Sequence, residues 1–180
     1  MKTYIAMLRG INVSGQKKIK MMNLVDHLNE LNFEQVRTYI QSGNIVFGCQ
    51  PTEKGDLERM ISDKILEKYK FEVPTIVRTP DELKNVVDKN PFLKQSDKTT
   101  DRQYITFLGS LPVEVNIEKL ATYDYAPEEY ILDGLDIYFY SPKGYGKAKM
   151  NNNFFENKLK VAATTRNWKT VNKLLEMASN

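Results

Sequence analysis

The sequence predicts an α+β chain of two antiparallel-rich sheets covered by helices, and three observations carry that expectation. Apolar residues switch between the two-residue repeat of strands and the 3.6-residue repeat of helices, in the order β-α-β-β-α-β. A second run starting at Gln103 repeats the order as β-α-β-β-α, with a helix standing where a closing strand would come. Turn chemistry falls between the middle strands of both runs, as Ser42-Gly43-Asn44 and as Asp133-Gly134.

Each element follows from its residues. Residues 4–8 form a short continuous apolar run, the pattern of a buried strand. Met21, Leu24, Val25, Leu28 and Leu31 recur at helical spacing, with Asn32 as the stop. Val36, Thr38 and Ile40 alternate with Arg37, Tyr39 and Gln41, which predicts a half-buried strand, and Ile45-Val46-Phe47 returns as the second arm of a hairpin. Leu57, Met60, Ile61, Ile65 and Tyr69 predict a second helix, and residues 73–77 a fourth strand. Thr79-Pro80-Asp81-Glu82 reads as a capping box with proline at the first helical position, and Asn90-Pro91 ends that third helix.

The polar residues 95–102 read as a connection between halves. The expected division is residues 1–90, a linker at 91–102, and 103–180 with the C-terminal helices. In the second half, residues 103–108 predict a strand, 113–121 a short helix, and 129–132 with 137–140 a hairpin. Helices are expected near 152–160 and over 168–178, with Thr165 or Asn167 capping the last and Trp168 anchoring it in the core. This is the split βαβ, or ferredoxin-like, order written twice.

Composition narrows the chemistry. A chain of 180 residues with 41% hydrophobic and 27% charged residues fits a packed protein and not a disordered one. No apolar run approaches the ~18 residues needed to span a bilayer. The opening stretch meets Arg9 too early for the apolar region of a secretory leader, so a cytoplasmic protein without membrane contact is expected. One cysteine allows no intramolecular disulfide, and with one histidine no Cys/His zinc cluster can form, so no metal or other cofactor is implied. Cys49 has no base nearby in sequence, and His27 reads as a helix-boundary residue. Glu128 and Glu129 are adjacent along a strand and point to opposite faces, which argues against a shared metal.

The net charge of +3 conceals a segregation: residues 1–20 carry +5, residues 141–180 carry +6, and residues 21–140 carry −8. Segregation of this kind concerns partners, not fold, and points to phosphate or carboxylate. Three loops could use it. The first holds Arg9, Gly10, Asn12, Gly15, Lys17 and Lys18 between a strand and a helix, where glycines admit close main-chain approach to an anion. It is not a P-loop, because Gln16 and Lys17 stand where lysine and a hydroxyl residue would be required. The second offers Gln41, Ser42 and Asn44 as donors and acceptors at the hairpin turn, with Arg37 and Tyr39 on the same face as Gln41. The third combines Lys147 and Lys149 with Arg166 and Asn167, the arginine being suited to clamp a planar anion or to bridge to Glu156 or Asp136.

With these stretches laid out, the chain resembles a bacterial family catalogued as domain of unknown function 1697. The resemblance spans nearly the whole length. It rests on residues 8–15 (LRGINVSG) with 37–47 (RTYIQSGNIVF), and on 146–149 (GKAK) through 163–174 (ATTRNWKTVNKL). Members of the family it resembles usually carry glycine where this chain has Ser14. The resemblance implies a duplicated ferredoxin-like fold and no established activity, and the polar residues Arg9, Asn12, Gln41, Ser42, Asn44, Arg166 and Asn167 belong to the motifs that define it. The expected function is binding of a phosphate-bearing ligand, nucleotide or nucleic acid, on basic surface supplied by both chain ends. The alternatives are an enzyme on a small anionic substrate, using Tyr39, Lys17 or Ser42, and a structural or oligomerising module.

Overall fold

The computed structural model describes residues 1–179. The chain begins with β1 (Lys2–Leu8), α1 (Met21–Asn29), β2 (Glu34–Tyr39), β3 (Asn44–Cys49), α2 (Lys54–Tyr69) and β4 (Thr75–Arg78). These strands make one sheet in the order β2-β3-β1-β4, with every neighbouring pair antiparallel. Tyr4, Ala6 and Leu8 of β1 pack with Ile45 and Phe47 of β3 beneath Leu24 and Leu28 of α1 and Leu57, Ile61 and Ile65 of α2. The alternate residues Ile5 and Met7 are buried as well. A strand buried on both faces must be apolar throughout, which is why β1 lacks alternation.

The capping box expected at Thr79 is present: Thr79 N donates to Glu82 Oε2 at 2.8 Å, and Glu82 N donates to Thr79 Oγ1 at 3.2 Å. It opens α3 (Pro80–Asp88). Two 3-10 turns follow, Pro91–Lys94 and Thr100–Arg102. Between them, Gln103 Nε2 donates to Lys98 O and accepts at Oε1 from Asn90 Nδ2, each at 2.9 Å, so this polar stretch is held by buried amides.

Then come β5 (Gln103–Leu108), α4 (Glu114–Ala121), β6 (Glu129–Asp133), β7 (Asp136–Tyr140), α5 (Asn152–Leu159), β8 (Ala163–Asn167) and α6 (Trp168–Ala178). The second sheet runs β6-β7-β5-β8, again antiparallel throughout. β8 corrects the expectation that a helix replaces the closing strand, so the second half completes β-α-β-β-α-β. Its sequence, Ala-Thr-Thr-Arg-Asn, carries a single apolar residue and escapes any periodicity argument. The strand holds through polar pairing instead: Thr106 and Thr165 hydroxyls lie 2.7 Å apart across the ladder, and Arg166 Nη1 donates to Thr164 Oγ1 at 2.7 Å.

The two sheets share a register. Ile5 stands opposite Val46 on β3 and Arg78 on β4, and Ile105 stands opposite Tyr138 on β7 and Arg166 on β8. An arginine less than a tenth exposed thus occupies the equivalent closing-strand position of both copies. The chain divides into a unit of Met1–Asn85 joined by the segment from Lys173, and a unit of Val86–Asn172, the boundaries falling inside α3 and α6. In the first unit, Arg37 Nη2 donates to Met177 O at 2.6 Å, so a cation completes the C-terminal end of α6.

Within the first unit, Glu30 lies 2.9 Å from Lys68 Nζ, 3.3 Å from Lys64 Nζ and 3.4 Å from His27 Nδ1. Hydrogen bonds from Lys68 and then His27 hold its carboxyl down from 4.5 to about 2. A carboxylate depressed on folding contributes stability in full above its unfolded value and loses it as pH falls through the folded one. Urea midpoints of the native protein and Glu30→Gln are therefore expected to differ near neutral pH and to converge as pH falls from 4.5 toward about 2. Solvent screening keeps the difference modest.

Candidate anion-binding loops

The connection from β1 to α1 adopts an unusual backbone. Gly10, Asn12, Ser14, Gly15 and Lys17 all have positive φ, between 43° and 76°. Ser14, exposed at φ 50°, occupies a conformation that glycine accepts without cost. Asn12 closes the loop: its Nδ2 donates to Ile19 O at 2.9 Å and to Gln41 O at 2.8 Å, and its Oδ1 accepts from Ile19 N at 2.9 Å. The same end of β1 is tied to the hairpin turn by Leu8 N donating to Gly43 O at 2.8 Å. The structure thus brings the first two sequence-predicted loops together.

The roles of their residues differ. Asn44 is fully buried, and its Nδ2 donates to Tyr39 O at 3.0 Å and to Ser42 Oγ at 2.9 Å. Asn12, Ser42 and Asn44 therefore brace the turn. Lys17 Nζ donates to Glu72 O at 2.6 Å, and Arg9 is half-buried, its main chain donating to Pro74 O at 2.9 Å. Lys18 and the side chain of Gln41 face solvent. Ile40 is half exposed at φ 51°, a conformation costly for a β-branched residue, at the tip of the same turn.

The remaining candidates lie in the second unit. Lys147 and Lys149 are exposed on the segment around the 3-10 turn Tyr145–Lys147. Glu128 fixes this segment by accepting from Lys149 N at 2.8 Å and Met150 N at 2.9 Å. Arg166 is 7% exposed, with Nη1 bonded to Thr164 Oγ1 and to Thr165 O at 2.9 Å; burial pushes its guanidinium down to about 10, still charged at neutral pH. Asn167 Oδ1 accepts from Thr170 N at 2.8 Å and caps α6, while Trp168 is buried.

Cys49 is buried, and burial pushes its thiol pKa up, the opposite of what a nucleophilic thiolate requires. Among the described residues no group of three or more His, Cys, Asp or Glu side chains is placed to hold a metal, and no helix is long and apolar enough to cross a membrane.

A cluster that sequence reasoning missed lies beside Lys149. Tyr123 and Tyr125, between α4 and β6, set their rings 6.3 Å apart at 21°, and Phe154 of α5 meets both edge-on at 5.5 and 5.6 Å. Lys158 Nζ sits 4.2 Å from the Tyr123 ring centroid and Lys149 Nζ 5.3 Å from that of Tyr125. The Tyr-Asp-Tyr triplet outside any apolar periodicity was the available signal.

Among solved structures, that of the conserved bacterial protein SP0830 from Streptococcus pneumoniae is similar over 100% of this chain and 99% of its own, with 24% sequence identity and a TM-score of 0.78. That likeness shows the shared α+β fold. No curated protein matches. A family model does, over residues 1–138, and the chain belongs to the family described as protein of unknown function (DUF1697).

Proposed function

We propose that the protein, working in the cytoplasm, binds a phosphate-bearing ligand, a nucleotide or nucleic acid, through the lysines of its first twenty and last forty residues. One observation carries this reading. Lys18, Lys20, Lys143, Lys147, Lys149, Lys160 and Lys169 have no carboxylate partner among the described residues. In the acidic middle of the chain ion pairing is commoner: Lys54, Arg59, Lys64, Lys68, Lys98 and Arg102 are each paired, while Lys70, Lys89, Lys94 and Lys119 have no carboxylate partner among the described residues, and of the terminal lysines Lys173 is paired with Glu176. Unpaired lysines keep their full field for an incoming anion, whereas a paired lysine has largely spent it.

In this reading each unit offers its own basic loops: in the first, Asn12, Ser42 and Asn44 hold the loops and Arg9, Lys17, Lys18 and Gln41 face or support phosphate, and in the second, Asn167 holds a helix start and Lys147, Lys149 and Arg166 do so. Fluorescence titration with a labelled oligonucleotide and with a fluorescent ATP analogue tests it. Affinity is expected to fall at least about tenfold between roughly 50 and 200 mM salt, because phosphate contacts release counterions. Lys147→Glu with Lys149→Glu is expected to weaken binding further. Absence of binding to either probe, or affinity indifferent to salt, overturns the proposal.

A further inference from the structure

We infer that the second unit carries a binding surface for single-stranded nucleic acid, built on Tyr123 and Tyr125 and flanked by Lys149 and Lys158; this rests on the phosphate-binding reading and names its partner class. Sequence-tolerant recognition of a single strand needs two things: aromatic faces on which unstacked bases lie, and cations along the backbone path. Both are present within one cluster. The tyrosine rings are nearly parallel and partly exposed, and Phe154 meets both edge-on, which fixes their orientation; a lysine lies over each ring, so a base that stacks there displaces a mobile side chain. Ordering two tyrosines in advance lowers the entropy that a stacked complex must give up.

The cations are held at the rings. Lys158 Nζ donates to Tyr123 Oη at 2.6 Å and lies over the same ring, and Lys149 Nζ lies over Tyr125. Neither lysine has a carboxylate partner among the described residues. The acids of the same segments are engaged by groups other than these two ammonium ions. Asp124 Oδ1 accepts from Ala126 N, Glu128 from Lys149 N and Met150 N, Glu129 pairs with Lys98, and Glu156 Oε1 accepts from Ala163 N. A cluster meant only to pad the core would need neither lysine, and a site for inorganic phosphate alone would need neither ring. A duplex hides its base faces in its own stack, so the pairing of rings with lysines selects an unpaired strand.

Fluorescence anisotropy with labelled oligothymidylate, the same strand in a duplex, and unlabelled polyphosphate as competitor tests the inference. Three variants are compared: Tyr125→Leu, which keeps apolar packing on Phe154 but has no π-face, Tyr125→Phe, which keeps the face, and Lys149→Gln. Thermal unfolding of each reports whether it folds. Tyr125→Leu is expected to weaken the single strand about tenfold and leave polyphosphate competition unchanged, Tyr125→Phe to restore native affinity, and Lys149→Gln to weaken both ligands. If salt-sensitive binding persists but single strand and duplex bind alike, or Tyr125→Leu binds as the native protein does, the single-strand assignment is wrong and the phosphate reading stands. If nothing anionic binds, both fall. Should Tyr125→Leu fail to fold, native affinity in a folded Tyr123→Leu variant overturns the inference equally.

Discussion

Replacing Gly43 by alanine is expected to cost about 3 kcal/mol or more, because two penalties fall on one atom. Gly43 has φ +77°, where an L side chain is strained. A Cβ there would lie 2.6 Å from Leu8 Cβ and 2.8 Å from Ile11 Cδ1, both fully or almost fully buried. Neither neighbour can yield easily: Leu8 is anchored by the hydrogen bond from its own N to Gly43 O, and Ile11 sits in the core of the first unit. The melting temperature is expected to fall by roughly 6–12 °C for a loss of that size in a chain of this length. Gly55→Ala is the control. It lies in α2 with nothing within 4 Å of its added Cβ, so it should be neutral or raise stability by up to about 1 kcal/mol. Equal effects of the two substitutions would show that crowding at Gly43 is not what the geometry indicates.

Asn12→Ala is expected to be nearly as damaging, at about 3 kcal/mol, since it strands the buried N and O of Ile19, releases Gln41 O to solvent and leaves alanine in a left-handed conformation. Ile19 is 2% exposed, and its N and O have the Asn12 amide as partner. Gln41 O is the third group, and losing it unties the loop from the hairpin turn. Asn12→Asp separates the contributions, because it retains an acceptor for Ile19 N but no donor, and should fall between native and alanine. Urea denaturation with hydrogen exchange at Ile19 reads the outcome. An unchanged unfolding midpoint in Asn12→Ala would return this residue from bracing to a ligand-facing role.

Much of the fold was legible because its elements advertise themselves locally. The stripe Leu24–Leu28 and the spacing Leu57, Ile61, Ile65 mark helices, and Thr79 with Glu82 marks a helix start, each within a few residues of chain. β8 was not legible, since its buried Thr164 and Arg166 are held by hydrogen bonds that involve no apolar pattern. The same limit applies to the loops. Asn12 and Asn44 are polar residues in loop motifs, which suggests ligand contact, yet their amides go to main-chain carbonyls that only folding brings near. Tyr123 and Lys158 are 35 positions apart, beyond any local window, so their pairing exists only once α4, α5 and β6 are in place.

The shared register has an evolutionary consequence. A frame present twice lets natural selection rewrite one strand-to-helix bridge while its counterpart keeps a separate character. Here the bridge between Leu8 and Met21 is long and lysine-bearing, and the one between Leu108 and Glu114 is short, with Leu111 and Val113 exposed. Specialisation of either copy requires no alteration of the strands that carry it.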